Sequence, residues 1–219
     1  MSLELVSPDG DQGFPGELTA RATYEVAPGQ VTLTLTASTD AATVVSLTNH
    51  AYFNLAGTEG HAVDDHLLSV AADAFLPVDE ESIPLGHAEP VAGTPFDLTS
   101  PRRLGDVVRD PHPQVRRARG LDHAYWLNGE GLRCVARLEH PGSGRILEVH
   151  TDQPSLQVYT GNLLDGRLRG RGGRLLRQGD GLALETQQFP DAPNQGWLPS
   201  PVLRPGAEYR AVTRWVLDW

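Results

Sequence analysis

A row of uncharged polar side chains around one histidine is the part of this chain best suited to chemistry. In the stretch SLTNHAYFNL, residues 46–55, polar and apolar side chains alternate as in a half-buried β-strand. Solvent-facing strand positions usually carry charged residues, whereas hydroxyl, amide and imidazole groups hydrogen-bond without a fixed charge. The row therefore predicts a site for a polyhydroxylated ligand, with a sugar as the simplest candidate. Its members are Ser46, Thr48, His50, Tyr52 and Asn54.

An acid and a base for such a ligand are found in two separate segments. His50 lies at the centre of the polar row, and Glu185 lies in GLALETQQF, where most neighbouring residues are apolar. Burial would raise the pKa of the Glu185 carboxyl toward that of a useful general base. The residues alone leave two other interpretations open. In the first, His50 is a structural histidine that bonds only to neighbouring residues. In the second, Glu185 is an exposed residue on an edge strand.

Two further segments offer groups that suit sugar hydroxyls. Asp122 begins the predicted strand of GLDHAYWL, with His123 facing the opposite side, although Asp-His at a strand start is also common turn chemistry. Gln157 and Tyr159 share one face of SLQVYTGN. These three residues extend the hypothesis of a ligand-binding surface.

Metal and phosphate sites are not predicted. The eight histidines form no H-x-H or H-x-x-x-H pattern, and there is no cysteine pair. The GRGG stretch at 170–173 is neither a P-loop nor a dinucleotide fingerprint. The arginine-rich residues 167–177 predict an exposed charged hairpin, with recognition of a phosphorylated ligand as the alternative.

Short alternating runs separated by Gly and Pro predict an all-β protein, a large antiparallel β-sandwich formed by residues 1–219 as a single domain. Pro28-Gly29 and the PGSG of 141–144 predict hairpin turns. Two longer segments, 79–119 and 190–205, are predicted to be irregular, apart from a weak helical pattern at 104–109. The predicted strands are 17–26, 31–39, 42–49, 67–72, 124–127, 132–139, 145–151, 156–160, 181–187 and 208–217.

Composition narrows the function classes. The net charge is −10, which argues against a nucleic-acid partner, and all 18 basic residues are arginine, which excludes an amine or Schiff-base mechanism by lysine. The one cysteine, Cys134 in GLRCVARL, is predicted to be buried in a strand. We expect a cytoplasmic protein that does not bind membranes, because the sequence has neither a cationic and apolar leader nor an apolar run of membrane-spanning length.

Together these segments resemble the aldose 1-epimerase (galactose mutarotase) family over nearly the whole chain. The resemblance is carried by SPDGDQGFPGEL, LTNHAYFNLAG, FLPVDEESIPLG, GTPFDL, GLDHAYWL, QPSLQVYTGN, LETQQFPDAPNQ and LRPGAEY, in the family's order. It implies a galactose mutarotase-like supersandwich that interconverts the α and β anomers of a free hexose such as galactose or glucose, without a cofactor.

The resemblance also implies a role for each site residue. Glu185 is the expected base, His50 the expected acid, and Asp122 and Gln157 the expected ligands of sugar hydroxyls. Tyr52 and Asn54 are expected to support the site.

One departure from the family pattern affects the expected assembly and activity. Family members usually carry a further N-terminal region with an Arg and a second His in the same pocket, and neither residue has a counterpart here. Exposed sheet edges and apolar faces are then expected to associate with a second copy or a complementing chain. The alternative functions are a hexose-6-phosphate 1-epimerase and a catalytically impaired carbohydrate-binding fragment of the same fold.

Overall fold

Two antiparallel sheets dominate the computed structural model, which describes residues 1–57 and 62–219. With strands numbered in chain order, the eight-stranded sheet runs β1 (Ser2–Ser7), β2 (Leu18–Ala27), β3 (Gln30–Thr39), β18 (Tyr209–Asp218), β12 (Arg145–Thr151), β11 (Arg133–His140), β6 (Leu67–Val70), β9 (Arg102–Arg103). The six-stranded sheet runs β5 (Tyr52–Phe53), β16 (Leu182–Gln187), β13 (Ser155–Tyr159), β10 (Asp122–Leu127), β7 (Ala72–Phe75), β8 (Glu89–Pro90). The predicted all-β sandwich is confirmed.

Smaller elements surround these sheets. The strand β14 (Asp165–Arg169) pairs with β15 (Leu175–Arg177), which confirms the predicted charged hairpin, and β4 (Thr43–Val44) pairs with β17 (Val202–Leu203). The α-helices are α1 (Leu104–Val107) and α2 (Pro113–Ala118), and 3-10 turns cover Asp11–Gly13, Val63–Asp65, Arg171–Gly173 and Ala192–Asn194. None of the helices in the described residues is long and apolar enough to cross a membrane.

The hydrophobic core lies between the two large sheets because alternate strand residues point toward it. Leu33 and Leu147 come from the eight-stranded sheet, and Tyr125, Leu156 and Leu184 come from the six-stranded sheet. Each of these side chains is at most 1% exposed. In the six-stranded sheet the intervening residues point away from this core, which leaves a face available for a site.

The polar row of residues 46–55 does not form the predicted strand. Only Thr43–Val44 and Tyr52–Phe53 are strand residues, and the chain between them passes from one small sheet to the edge of the six-stranded sheet. Val45 N still donates to the backbone carbonyl of Pro201 at 3.0 Å, but further along the backbone bonds to side chains, as when Leu47 N donates to Tyr209 Oη at 3.2 Å. Of the strand predicted over 42–49, only Thr43–Val44 forms, because alternation alone does not identify a pairing partner.

The predicted strand over 67–72 is two strands in different sheets. β6 pairs with β11 in the eight-stranded sheet, and β7 pairs with β10 in the six-stranded sheet. Ala71 lies at the crossing, where its N–H donates to Val135 O at 2.8 Å and its carbonyl accepts from Asn128 N at 2.9 Å. No Gly or Pro lies between Leu67 and Phe75, so the sequence carries no turn signal for the change of sheet.

Segment 79–119 contains more structure than predicted. The helical pattern at 104–109 is confirmed as α1, whereas α2, β8 and β9 were not predicted. Pro113 occupies the first turn of α2, and His112 Nδ1 accepts from Gln114 N at 3.3 Å. Helix α2 was missed because six residues are too few to show a helical period.

Cys134 lies in a strand as predicted, but it is exposed rather than buried. The register between β11 and β12 shifts between Cys134 and Ala136. Val135 and Ala136 both face the core, at 1% and 3% exposure, so the bulge turns Cys134 to the outer face. The prediction assumed unbroken alternation and was wrong for that reason.

Candidate active site

Strand register brings five of the residues singled out from the sequence onto one face of the six-stranded sheet. Gln157 of β13 lies directly opposite Glu185 of β16, and Asp122 of β10 lies opposite Tyr159. Tyr52 of β5 pairs with Ala183, two residues from Glu185. Alternation places these side chains on the face opposite the core, because their strand neighbours Val158, Leu184 and His123 are buried on the other side.

A cavity of about 540 Å³ lies over this face. It has the volume of a small-molecule site, and both polar and apolar groups line it. Asn54 is not among the residues that line it. The polar lining residues are His50, Tyr52, Ser82, Asp122, Gln157, Tyr159, Glu185 and Gln187, and the apolar ones are Leu76, Val78, Pro84, Ala124, Leu163, Leu164 and Pro190.

His50 and Glu185 lie next to each other in the cavity lining. His50 Nε2 lies 3.6 Å from Glu185 Oε1, close enough for an ion pair but longer than an ordinary hydrogen bond. The Glu185 side chain is 10% exposed and that of His50 is 48% exposed. A buried carboxylate and an accessible imidazole thus face the same space, which is the arrangement that paired proton transfer requires.

The imidazole is framed by two aromatic rings. The His50 ring lies 4.9 Å from the Tyr52 ring and 5.9 Å from the Tyr159 ring, the latter edge to face. Tyr159 is itself held in place because its Oη accepts from Leu163 N at 2.9 Å. The two tyrosines therefore restrict the orientation of His50 within the cavity.

Asp122 and Gln157 form a hydrogen-bonding pair beside Glu185. Gln157 Nε2 donates to Asp122 Oδ1 at 2.7 Å. Gln157 Oε1 is buried and has no hydrogen-bond partner among the described residues. A buried acceptor without a donor is costly, so a ligand hydroxyl placed in the cavity would satisfy it.

Burial raises the pKa of both carboxyl groups in the cavity. For Glu185 the neighbouring Asp122 raises the pKa further, while His50 opposes the shift. For Asp122 the hydrogen bond from Gln157 and the charge of His50 both oppose the effect of burial. The predicted desolvation of Glu185 is thus present in the structure.

The segment that carries His50 is anchored on both sides. Thr48 Oγ1 donates to Thr186 O at 3.0 Å, which ties the segment to β16 one residue from Glu185. Asn54 Nδ2 donates to Asp180 O at 3.1 Å, and its Oδ1 accepts from Ala56 N at 3.0 Å. Asn54 and Thr48 therefore hold the backbone around His50, and neither is among the residues that line the cavity.

A buried network behind Asp122 was not identified from the sequence. His123 is fully buried on the opposite face, as predicted, and its Nδ1 accepts from Asp122 N at 3.1 Å. Its Nε2 bonds to Gln114 Oε1 at 3.0 Å, and Gln114 bonds both backbone groups of Val78, a cavity residue, at 3.0 Å. The adjacent His in GLDHAYWL was the available signal, but Gln114 gave none.

Comparison with known proteins places these features in a family. A profile of the Aldose 1-epimerase family matches residues 1–215. Galactose mutarotase of Mus musculus is 47% identical over 209 residues, which are 95% of this chain and 60% of that protein. Galactose mutarotase of Homo sapiens is 46% identical over 214 residues, 97% and 61% of the two chains. Aldose 1-epimerase of Escherichia coli K12 is 39% identical over 216 residues, which are 96% of this chain and 62% of that protein.

Solved structures agree with these matches. The GalM/aldose epimerase homologue from C. elegans superimposes with a TM-score of 0.87 at 28% identity, over 99% of this chain and 65% of that one. Galactose 1-epimerase from Lactobacillus acidophilus gives 0.86 at 32% identity, over 99% and 62%. The chain spans about three fifths of the length of the curated relatives it matches. The chain belongs to the aldose 1-epimerase family.

Proposed function

We propose that this chain is an aldose 1-epimerase that interconverts the α and β anomers of free hexoses such as galactose and glucose. The observation that carries the proposal is the 3.6 Å separation of His50 Nε2 and Glu185 Oε1 within one cavity. The two sugar oxygens that exchange protons in this reaction, O1 and O5, are bonded to the same carbon. An acid and a base that serve them must therefore lie within a few ångströms of each other, as these two groups do.

Ring opening follows from this geometry. The Glu185 carboxylate removes the proton from the C1 hydroxyl, the C1–O5 bond breaks, and O5 takes a proton from His50. The product is the open-chain aldehyde, and its C1–C2 bond is free to rotate. Ring closure on the other face of C1 reverses both transfers, so Glu185 and His50 return to their starting states. The reaction moves protons but no net electrons, so the proposal includes no cofactor.

Asp122 and Gln157 are proposed to bind sugar hydroxyls. One oxygen of Asp122 is engaged by Gln157, and the other is available to accept a hydroxyl proton. The buried Gln157 Oε1 is a second acceptor at the same place. Tyr52 is proposed to support His50 through ring contact, and Asn54 to support it through the backbone.

A hexose-6-phosphate 1-epimerase is the alternative within the family, and the lining of the cavity disfavours it. No arginine is among the described residues that line the cavity, and the chain has no lysine. Phosphate recognition ordinarily uses such cations. Two arginines of the arginine-rich hairpin are already paired with carboxylates. Arg167 pairs with Asp165 at 3.1 Å, and Arg174 pairs with Asp180 at 2.8 Å.

The experiment follows the optical rotation of freshly dissolved α-D-galactose with wild type and with Glu185→Gln. We expect wild type to accelerate mutarotation and the variant to lose about 100-fold or more, the usual range for a positioned acid or base. Glu89→Gln is the matched control, because Glu89 also lies near a histidine, 3.3 Å from His87 Nε2, but outside the cavity lining. An unchanged rate in Glu185→Gln would overturn the mechanism.

The same assay separates the alternatives. Faster epimerisation of glucose 6-phosphate than of glucose would favour the phosphosugar enzyme. Saturation-transfer NMR that shows galactose binding without acceleration by wild type would favour the carbohydrate-binding fragment.

We also propose a partner and a location. Exposed apolar residues on β1 support association with a second copy or with a complementing chain. The exposed, unpaired Cys134 thiol suits a reducing compartment, so we propose the cytoplasm.

A further inference from the structure

Three metal-ligating side chains meet on the outer face of the eight-stranded sheet, away from the proposed active site. Cys134 of β11 lies directly opposite His150 of β12, and Glu148 lies two residues before His150 on the same face. One thiol, one imidazole and one carboxylate donor atom all lie within 4.8 Å of one another. Within residues 1–57 and 62–219, this trio is the one such group with a sulphur ligand.

The spacing of the imidazole and carboxylate fits a tetrahedral ion. His150 Nε2 lies 3.3 Å from Glu148 Oε2. Bonds of about 2.0–2.1 Å at tetrahedral angles place such nitrogen and oxygen ligands roughly 3.3 Å apart. The distance between these two ligand atoms therefore does not have to change when the ion binds. Only the Cys134 side chain has to move toward them.

The β-bulge makes this ligand set available. Regular alternation from Ala136, which faces the core, would turn Cys134 inward, whereas the bulge at Val135 turns it outward toward His150. The bulge is a local backbone feature within a paired hairpin, so the thiol position is set by the sheet.

The charges of the trio balance a divalent ion. A thiolate and a carboxylate together carry two negative charges, and neutral imidazole adds none. Arg137 lies opposite Glu148 in the sheet but bonds Glu139 Oε2 at 2.5 Å. This cation is therefore already paired with a carboxylate other than Glu148. Zinc accepts each of these sulphur, nitrogen and oxygen ligands, and a water can take the fourth position of a tetrahedral site.

We propose that Cys134, Glu148 and His150 bind one divalent transition-metal ion of the zinc class. The site uses no residue of the proposed active site, so it stands or falls independently of the epimerase activity. The sequence predicted no metal site because the ligands come from two strands and form no local cysteine or histidine motif.

The test is titration of the chelator-treated chain with Co²⁺ under a non-thiol reductant, with absorption spectra as the readout. We expect one equivalent to produce a thiolate-to-cobalt charge-transfer band and tetrahedral d–d bands, which Zn²⁺ then abolishes. Cys134→Ser should lose the charge-transfer band. His150→Ala should weaken binding by about tenfold or more, since even residues that only orient a ligand cost 10–100-fold.

His87→Ala is the matched control, because His87 also lies 3.3 Å from a carboxylate two residues away, Glu89, but no cysteine is grouped with them. We expect its spectrum to equal that of wild type. The absence of a charge-transfer band in wild type, or its persistence in Cys134→Ser, would overturn the proposal. Circular dichroism establishes that each variant is folded.

Discussion

Glu185 is 8% exposed and shares its cavity with a second carboxylate, Asp122. Burial raises the pKa of Glu185 above its ordinary value of 4.5, the charge of Asp122 raises it further, and the charge of His50 lowers it. A base with a raised pKa is a stronger base, but it is protonated over a wider acid range. In the proposed reaction, the burial that makes Glu185 a stronger base is therefore expected to limit activity on the acid side of the pH profile.

The pH profile of kcat/KM tests this at the residue scale. The base must be ionised, so we expect activity to fall on acidification with an apparent pKa above 4.5. Asp122→Asn removes the neighbouring negative charge and should move this acid limb to lower pH, while KM rises through the lost hydroxyl contact. An acid limb that does not move would contradict electrostatic coupling between the two carboxyls.

Strand β10 carries a cavity residue on one face and a buried hydrogen-bonding histidine on the other. Asp122 faces the cavity, and His123 faces inward, where it links the backbone of Asp122 to Gln114 of α2. Burial lowers the pKa of His123 to about 3, so the ring is neutral and can accept at Nδ1 while it donates at Nε2. The helix and the cavity wall at Val78 are thus connected to the start of the strand.

At the element scale we predict that His123→Leu weakens both the fold and sugar binding. The Asp122 N–H would lose its acceptor, at roughly 1–3 kcal/mol in unfolding free energy, whereas Gln114 would keep its two bonds to Val78. If Asp122 binds a sugar hydroxyl as proposed, its displacement should raise KM about tenfold while kcat changes less, because such a ligand contributes mainly to binding.

Chemical denaturation and saturation kinetics give the two readouts. His87→Leu, at an exposed histidine, is the control and should alter neither. A loss of stability without a change in KM would assign His123 to the fold alone.

Strand β1 is the edge of the eight-stranded sheet and is exposed on its inner face. Leu3 is 56% exposed and Leu5 is 66% exposed. Together with Ala20, Ala22 and Leu35 they line an apolar groove. An open edge beside an apolar groove favours pairing with another chain.

At the scale of the whole molecule we therefore predict that the 219-residue chain self-associates. Size-exclusion chromatography with light scattering should show a dimer or larger species, which Leu5→Asp shifts toward monomer. Val26→Asp is the control, since Val26 is 79% exposed at the far end of β2 and outside the groove. A stable wild-type monomer would contradict the prediction.

The long strands were predictable because their apolar and polar residues alternate, which matches a core on one side of the sheet. The strands at 17–26, 31–39, 145–151 and 208–217 are confirmed within one residue at each end. Segment 42–49 has the same alternation but pairs with a strand only at Thr43–Val44, and Cys134 lies beside a bulge that reverses its face. Pairing and bulges depend on residues distant in the sequence, so a local pattern does not report them.

The sequence by itself determined the all-β class and the family resemblance, and it supplied the candidates for the acid, the base and the sugar ligands, because side-chain chemistry and alternation are local properties. Tertiary structure decided which groups meet. Register placed Gln157 opposite Glu185, and a crossing segment brought His50 to 3.6 Å from that carboxylate. It also excluded Asn54 from the cavity lining and grouped Cys134 with Glu148 and His150. These outcomes depend on strand pairing between distant segments, which the packing of the two sheets determines.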